Sequence, residues 1–203
     1  IKKKIFELLW FRIPIRLATK VICISNATKK SIMRFTNRDD IVVIHNAIDE
    51  SIHYYPRPFI LKEKYNVLII GTAPNKNLIN TFCALRGLPI FLTVVGKLNE
   101  EQINCLESNN IEYQSLEGLS DTQIDQCYAT TDLVCFISQF EGFGVPILEA
   151  NRSGCPIICS DIPVLHEVGA EAAAYVNPND IDEMHNSIEH LLNSPEERKR
   201  LVL

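Results

Sequence analysis

From about residue 66 the chain repeats one pattern, a short apolar run followed by a segment of helical character. The runs are NVLIIGT (66–72), FLTVVG (91–96), IEYQS (111–115), DLVCFIS (132–138), PIICSD (156–161) and a weaker AAYV (173–176). Helices are predicted at about 75–86, 99–109 and 120–129, from Pro146 onward, at 180–193 and from 195 on. Strands apolar on both faces must be covered on both, and strands separated by helices run parallel. The pattern therefore predicts an α/β fold with a doubly wound, Rossmann-like parallel sheet. Upstream, KVICIS (20–25) and IVVIHN (41–46) are further strand candidates, with Asn26 the expected N-cap of the helix ATKKSIMRF. The loop DESIHYYPRPF, rich in proline and aromatics, is the expected domain boundary, dividing the chain into 1–55 and 56–203.

Composition narrows the partners. Twenty Lys and Arg against 25 Asp and Glu leave a net charge of −5. A general nucleic-acid binder needs the opposite balance, so no nucleic-acid partner is expected. No apolar run reaches the ~18 residues that would cross a bilayer. The seven cysteines, at 23, 83, 105, 127, 135, 155 and 159, form no CxxC pair and lie mostly in apolar segments. They read as buried, reduced thiols of a cytoplasmic protein, ahead of a thiol nucleophile or a metal site. His45, His53, His166, His185 and His190 form no ligand cluster with them, so no metal is expected. In that compartment the sequons at Asn26 and Asn151 would carry no sugar. The chain begins with Ile and shows no signal peptide, and is expected to be a piece of something longer.

In such a sheet, ligands bind beyond the carboxyl ends of the strands. EGFGVPILEA (141–150) lies there, directly after DLVCFIS. Pro146 fits the first position of a helix, where a missing N–H costs nothing. Gly142 and Gly144 keep side chains out of the approach, so the N–H groups of Phe143, Gly144 and Val145 can face an anion at the helix N-terminus. The flanking Glu141 and Glu149, predicted before the turn and in the first helical turn, repel phosphate but accept well from hydroxyls. A phosphate or diphosphate with a polyol at each end fits, as in a nucleotide sugar with ribose at Glu149 and sugar at Glu141. The same spacing also suits a favourable first-turn acid and a solvated loop glutamate, and spacing alone does not separate the two.

EGFGVPILEA resembles the Glu-x7-Glu motif of retaining GT-B glycosyltransferases, glycosyltransferase family 4, and the likeness extends over most of residues 20–195. VICISNATKK resembles the family's segment near the end of the acceptor domain, and IHNAID its Asn-Gly-Ile-Asp turn, with Ala47 in place of Gly. GTAPNKN resembles the Gly-Thr…Lys-Asn loop, and SDIPVLHEVGAEAAAYVNP the segment after the motif, including Glu167. The resemblance implies that Glu141 contacts donor-sugar hydroxyls and Glu149 the ribose. Phe143 and Gly144, with Gly142 and Val145 beside them, would present backbone donors to the diphosphate. Lys76, in the loop with Gly71 and Thr72, would pair with the phosphates and stabilise the departing nucleotide. Residues Ser115 to Gly118 would lie near the base. Many relatives carry an arginine near this lysine, but Thr72 and Asn75 hold those places here and the loop is one residue short.

The activity implied is transfer of a glycosyl group from a nucleotide-diphosphate sugar to a hydroxyl acceptor with retention, in polysaccharide or glycolipid synthesis. Glu141 is not assigned as a nucleophile. Relatives of this fold need no metal, and no Asp-x-Asp motif is present. A GT-B enzyme pairs an N-terminal acceptor domain with a C-terminal donor domain. The chain is expected to hold the donor domain and the tail of the acceptor domain, and to be inactive alone. IKKKIFELLWFRIPIR, basic and aromatic, suits packing on the missing domain or peripheral contact with the inner face of a membrane. Alternative readings are a nucleotide-sugar binding module without transfer, or a nucleotide-sugar epimerase on a related fold. A dehydrogenase expects GxGxxG after its first strand, where this chain has GTAPNKN.

Overall fold

The computed structural model describes residues 2–202, which divide into two compact units with the boundary between Ala47 and Ile48. In the first unit, helix α1 (Lys2–Glu7) runs through a π-helical turn (Leu8–Arg12) into α2 (Ile13–Leu17). Two short parallel strands, β1 (Ile22–Cys23) and β2 (Val42–Val43), flank α3 (Asn26–Ile32). Ser25, not Asn26, caps α3, its hydroxyl accepting from the Thr28 N–H at 3.0 Å. Both residue types cap well, so sequence placed the helix start within one residue. Arg38 donates to the carbonyls of Ile15, Ala18 and Thr19 at 2.9, 2.6 and 3.1 Å, satisfying orphan acceptors at the end of α2. Among the described residues no helix is long and apolar enough to cross a membrane.

The second unit is a six-stranded sheet, parallel throughout, with a helix after each strand. In chain order come β3 (Tyr65–Ile70), α4 (Leu78–Leu85), β4 (Ile90–Val95), α5 (Glu100–Ser108), β5 (Tyr113–Leu116) and α6 (Asp121–Thr130). There follow β6 (Leu133–Phe136), α7 (Val145–Arg152), β7 (Ile157–Ser160), α8 (Pro163–Gly169), β8 (Ala174–Val176), α9 (Ile181–Asn193) and α10 (Pro195–Arg200). The spatial order is β5-β4-β3-β6-β7-β8. Every predicted strand is present, and α8 is a helix that the sequence pattern did not announce.

The strands are apolar on both faces because both are covered. Val67 and Ile69 of β3, Leu133 and Cys135 of β6 and Ile158 of β7 pack into one core with Phe82 of α4, Leu106 of α5 and Ile188 of α9. The alternate residues Leu68, Val134 and Ile157 are equally buried on the opposite face. That alternation, with burial on both sides, is what a doubly wound sheet requires.

Residues 52–60, expected to form a linker, instead strap the second unit together. Arg57 donates to the carbonyls of Gly154, Tyr128, Ala129, Ser153 and Thr131, gathering the carboxyl ends of α6 and α7. Buried Asp125 accepts from the His53 N–H at 2.9 Å and the Tyr55 hydroxyl at 2.6 Å. Arg198 reaches the Ile60 carbonyl at 2.7 Å. The division between units thus falls at 47/48, ahead of the expected 55/56, because side chains of the strap bond to the helices it crosses.

Candidate functional site

In the second unit β3, β4 and β5 step away in one direction, and β6, β7 and β8 in the other. The order reverses between β3 and β6, the switch point beyond whose carboxyl ends doubly wound sheets bind ligands. The two loops at that switch point are GTAPNKN after β3 and the segment into EGFG after β6. Hydrogen bonds join them: the Gln139 N–H donates to the Asn75 carbonyl at 2.8 Å, and the Asn75 amide to the Phe140 carbonyl at 3.1 Å.

This junction brings together two of the predicted residues. The Lys76 ammonium donates to Glu141 Oε1 at 2.8 Å, with 18% and 15% of the two side chains exposed. Lys76 also lies 4.6 Å from the centroid of the Phe136 ring. Gly71 makes room for it: at φ +90 its backbone is in the left-handed region, and a Cβ there would meet Lys76 Cε at 2.9 Å. A short 3₁₀ turn (Pro74–Lys76) and left-handed Asn77 end the loop before α4, where sequence predicted helix from about 75. Thr72 sits half-buried beside them, its carbonyl accepting from the Gln102 amide at 3.4 Å.

Gly144 is the N-cap of α7, with φ +114, and a Cβ there would lie 2.7 Å from Leu165 Cδ2. Phe143 is buried, Gly142 exposed and Val145 the first helical residue, with Pro146 second rather than first. The helix therefore starts directly after the EGFG turn that follows β6, with the partial positive charge of an α-helix start. Glu149 falls in the second turn of α7, not the first. Four residues from the helix start it gains little from the macrodipole, so the bland reading as a first-turn acid loses its footing.

Glu149 is half-buried, and its Oε2 accepts from the Tyr128 hydroxyl of α6 at 2.7 Å. Burial pushes its carboxyl above the usual range, the Tyr128 bond opposes that, and the charge of Asp49 adds to it. Tyr128 was invisible as a site residue in the sequence, where an aromatic on a helix signals only core. Ser115, expected near a base, donates to the Gly96 carbonyl at 2.7 Å at the end of β4, and Glu167 is half-buried on α8. Among the described residues no group of three or more His, Cys, Asp or Glu could hold a metal ion. Burial raises the Cys155 and Cys159 thiols to about 12, so neither is a thiolate near neutral pH. A helix N-terminus and a lysine ammonium are groups that can hold an anion, and the two carboxylates are groups that can accept from hydroxyls.

Comparison with known proteins gives the family and the fold. The chain is 28% identical over 204 residues to the O-antigen chain mannosyltransferase RfbU of Salmonella typhimurium, covering 92% of this chain and 56% of that protein. Anabaena Alr3699/HepE, solved in complex with UDP-glucose, superposes with a TM-score of 0.76 at 19% identity, covering 98% of this chain and 62% of that one. The C-terminal domain of the glycosyl transferase group 1 family protein LpcC from Francisella tularensis superposes with a TM-score of 0.63 at 20% identity, over 77% of this chain and 93% of that one. The chain spans about half the length of the curated relatives it matches. Residues 45–202 match the family described as glycosyl transferases group 1, an interval that takes in all six strands, both switch-point loops and the Glu141–Glu149 segment. The chain belongs to the glycosyl transferases group 1 family.

Proposed function

We propose that residues 48–203 form the donor-binding part of a retaining glycosyltransferase of family 4. In this reading a diphosphate lies across the α7 N-terminus and the Lys76 ammonium, Glu149 accepts from ribose hydroxyls, and Glu141 accepts from the sugar. The observation that carries it is the meeting of Lys76 and Glu141 at the switch point, from loops 65 residues apart in sequence. That a cation and a hydroxyl acceptor meet at the switch point, the usual ligand position of doubly wound sheets, supports the reading. The backbone donors of the EGFG turn and Lys76 stabilise negative charge on the leaving diphosphate, without a metal ion. The RfbU relative is named for mannose, so a mannose donor is the first to test, for a product that is a polysaccharide or glycolipid. The acceptor is held by a preceding domain, onto which the apolar face of Lys2–Leu17 packs, and this chain alone binds donor without transferring it.

Calorimetric titration with UDP, GDP and ADP and their sugar conjugates tests the reading. One nucleotide should bind, with affinity weakened by Lys76→Ala and by Glu149→Ala and indifferent to chelator. A folded chain that binds none of them, and a longer protein that binds none either, would reject the assignment.

A further inference from the structure

Glu149 does not stand by itself on α7. The hydroxyl that meets it comes from Tyr128 on the neighbouring helix α6, and that side chain is fully buried, at 0% exposure. A tyrosine so placed has no rotational freedom to offer a hydroxyl elsewhere. Burial, and then the negative charge of Glu149, hold its phenol well above its ordinary range, so it keeps its proton and donates at every working pH. Its own carbonyl is in turn bound by Arg57 at 2.6 Å, which ties α6 at this residue to the strap. The other carboxylate oxygen, Oε1, takes no hydrogen bond from any described residue.

We infer that Tyr128 is a positioning residue for nucleotide recognition, locking one oxygen of the Glu149 carboxylate so that the other accepts from a ligand hydroxyl. The inference rests on the proposed role of Glu149. A free glutamate loses rotamer entropy when it closes on a ligand, and one held in advance by a phenol does not. The bond also has a chemical consequence. Three influences act on the carboxyl: burial raises its affinity for a proton, the Tyr128 hydroxyl lowers it, and Asp49, from the loop that opens the unit, raises it. Removing the hydroxyl leaves burial and Asp49 unopposed, so Glu149 takes up its proton at a higher pH.

The test is titration of the whole chain with UDP-glucose and with GDP-mannose from pH 5 to 8, in wild type, Tyr128→Phe and Glu149→Gln. Sugar nucleotides are used because their diphosphate does not itself titrate in that range. Tyr128→Phe keeps the ring and should weaken binding by roughly tenfold at pH 7.5, the scale of one hydrogen bond to a charged group. It should also move the acid limb of the affinity profile to higher pH. A side chain that merely fills space would weaken binding without moving that limb, and this result, or no change at all, would overturn the inference. Carbon-13 titration of the glutamate carboxyls gives a second readout, with the Glu149 resonance midpoint rising in Tyr128→Phe. If Glu149→Gln leaves both affinity and its pH profile untouched, or if no sugar nucleotide of uridine, guanosine or adenosine binds either this chain or a longer protein, the reading of Glu149 itself fails.

Discussion

The pair of Lys76 and Glu141 makes a prediction whose sign differs between its two members. With side chains 18% and 15% exposed, the pair lies between two regimes. Exposed pairs are worth ~0.2–1 kcal/mol, whereas breaking a buried one costs ~3–5 kcal/mol. Lys76→Met keeps the stem against Gly71 and removes only the charge, so it should cost about 1–2 kcal/mol, a fall of roughly 2–8 °C in Tm for a chain of this length. A charge-assisted hydrogen bond to phosphate contributes about 1.5–3 kcal/mol. Because the ammonium is already bound to Glu141 at 2.8 Å, a diphosphate must compete for it, which selects the low end and about a tenfold loss of nucleoside diphosphate affinity. Glu141→Gln works the other way. It removes both the competitor for the ammonium and a charge that repels phosphate, so a bare nucleoside diphosphate should bind severalfold tighter. The sugar conjugate, losing an acceptor for its hydroxyls, should gain less or weaken. Calorimetry with the diphosphate and its sugar conjugate, beside thermal unfolding, reads all three quantities. Glu141→Gln weakening the bare diphosphate as much as Lys76→Met does would refute the reasoning.

Three further outcomes follow from single contacts. Arg57→Ala leaves the carbonyl cluster at the ends of α6 and α7 without its donor and should lower stability by about 2–4 kcal/mol, with little recovery in Arg57→Lys because the fork is lost, as thermal unfolding will show. Gly144→Ala puts a Cβ 2.7 Å from Leu165 Cδ2 at φ +114 and should cost about 1–3 kcal/mol while weakening nucleotide binding. Burial raises the Asp125 carboxyl, but the His53 N–H, the Tyr55 hydroxyl and the His53 ring outweigh it and hold the group below its ordinary range. Stability from that depression is present above the unfolded value near 4 and lost as pH falls through the folded one. Asp125→Asn should therefore melt below wild type at pH 7, and calorimetry should find the gap closing toward pH 3.

The sheet was legible because its strands announce themselves: NVLIIG, DLVCFIS and PIICS are apolar without alternation, which only a covered parallel strand tolerates. Helix α8 was not, since its seven residues, PVLHEVG, are too few to show a period. The strap at 52–60 carries the prolines and aromatics of a loop, and nothing local says that Arg57 answers carbonyls about 70 to 100 residues away. The Glu141–Glu149 spacing located the turn and the helix after β6 but put Glu149 one turn too early, because the helix starts at Val145 with Gly144 as its cap. Contact between Lys76 and Glu141 depends on β3 and β6 being neighbours, a fact of strand order that no local pattern contains.

In the proposed donor site, two carboxylates beside a helix start that would hold an anion look self-defeating until their partners are compared. Glu141 is bonded to a cation, so its charge is already offset, and an arriving diphosphate exchanges one anionic partner of Lys76 for another. The site then needs no large rearrangement of charge to accept a ligand, only a shift of the ammonium between neighbours. Glu149 is bonded to a neutral phenol in a half-buried setting, so its charge is not offset and is expensive to keep. Such a group repels phosphate and favours a donor of hydrogen bonds that carries no charge, which is what a ribose offers. In the proposed reading, the cationic partner thus marks where the diphosphate would pass, and the neutral partner where the nucleoside would turn away from it.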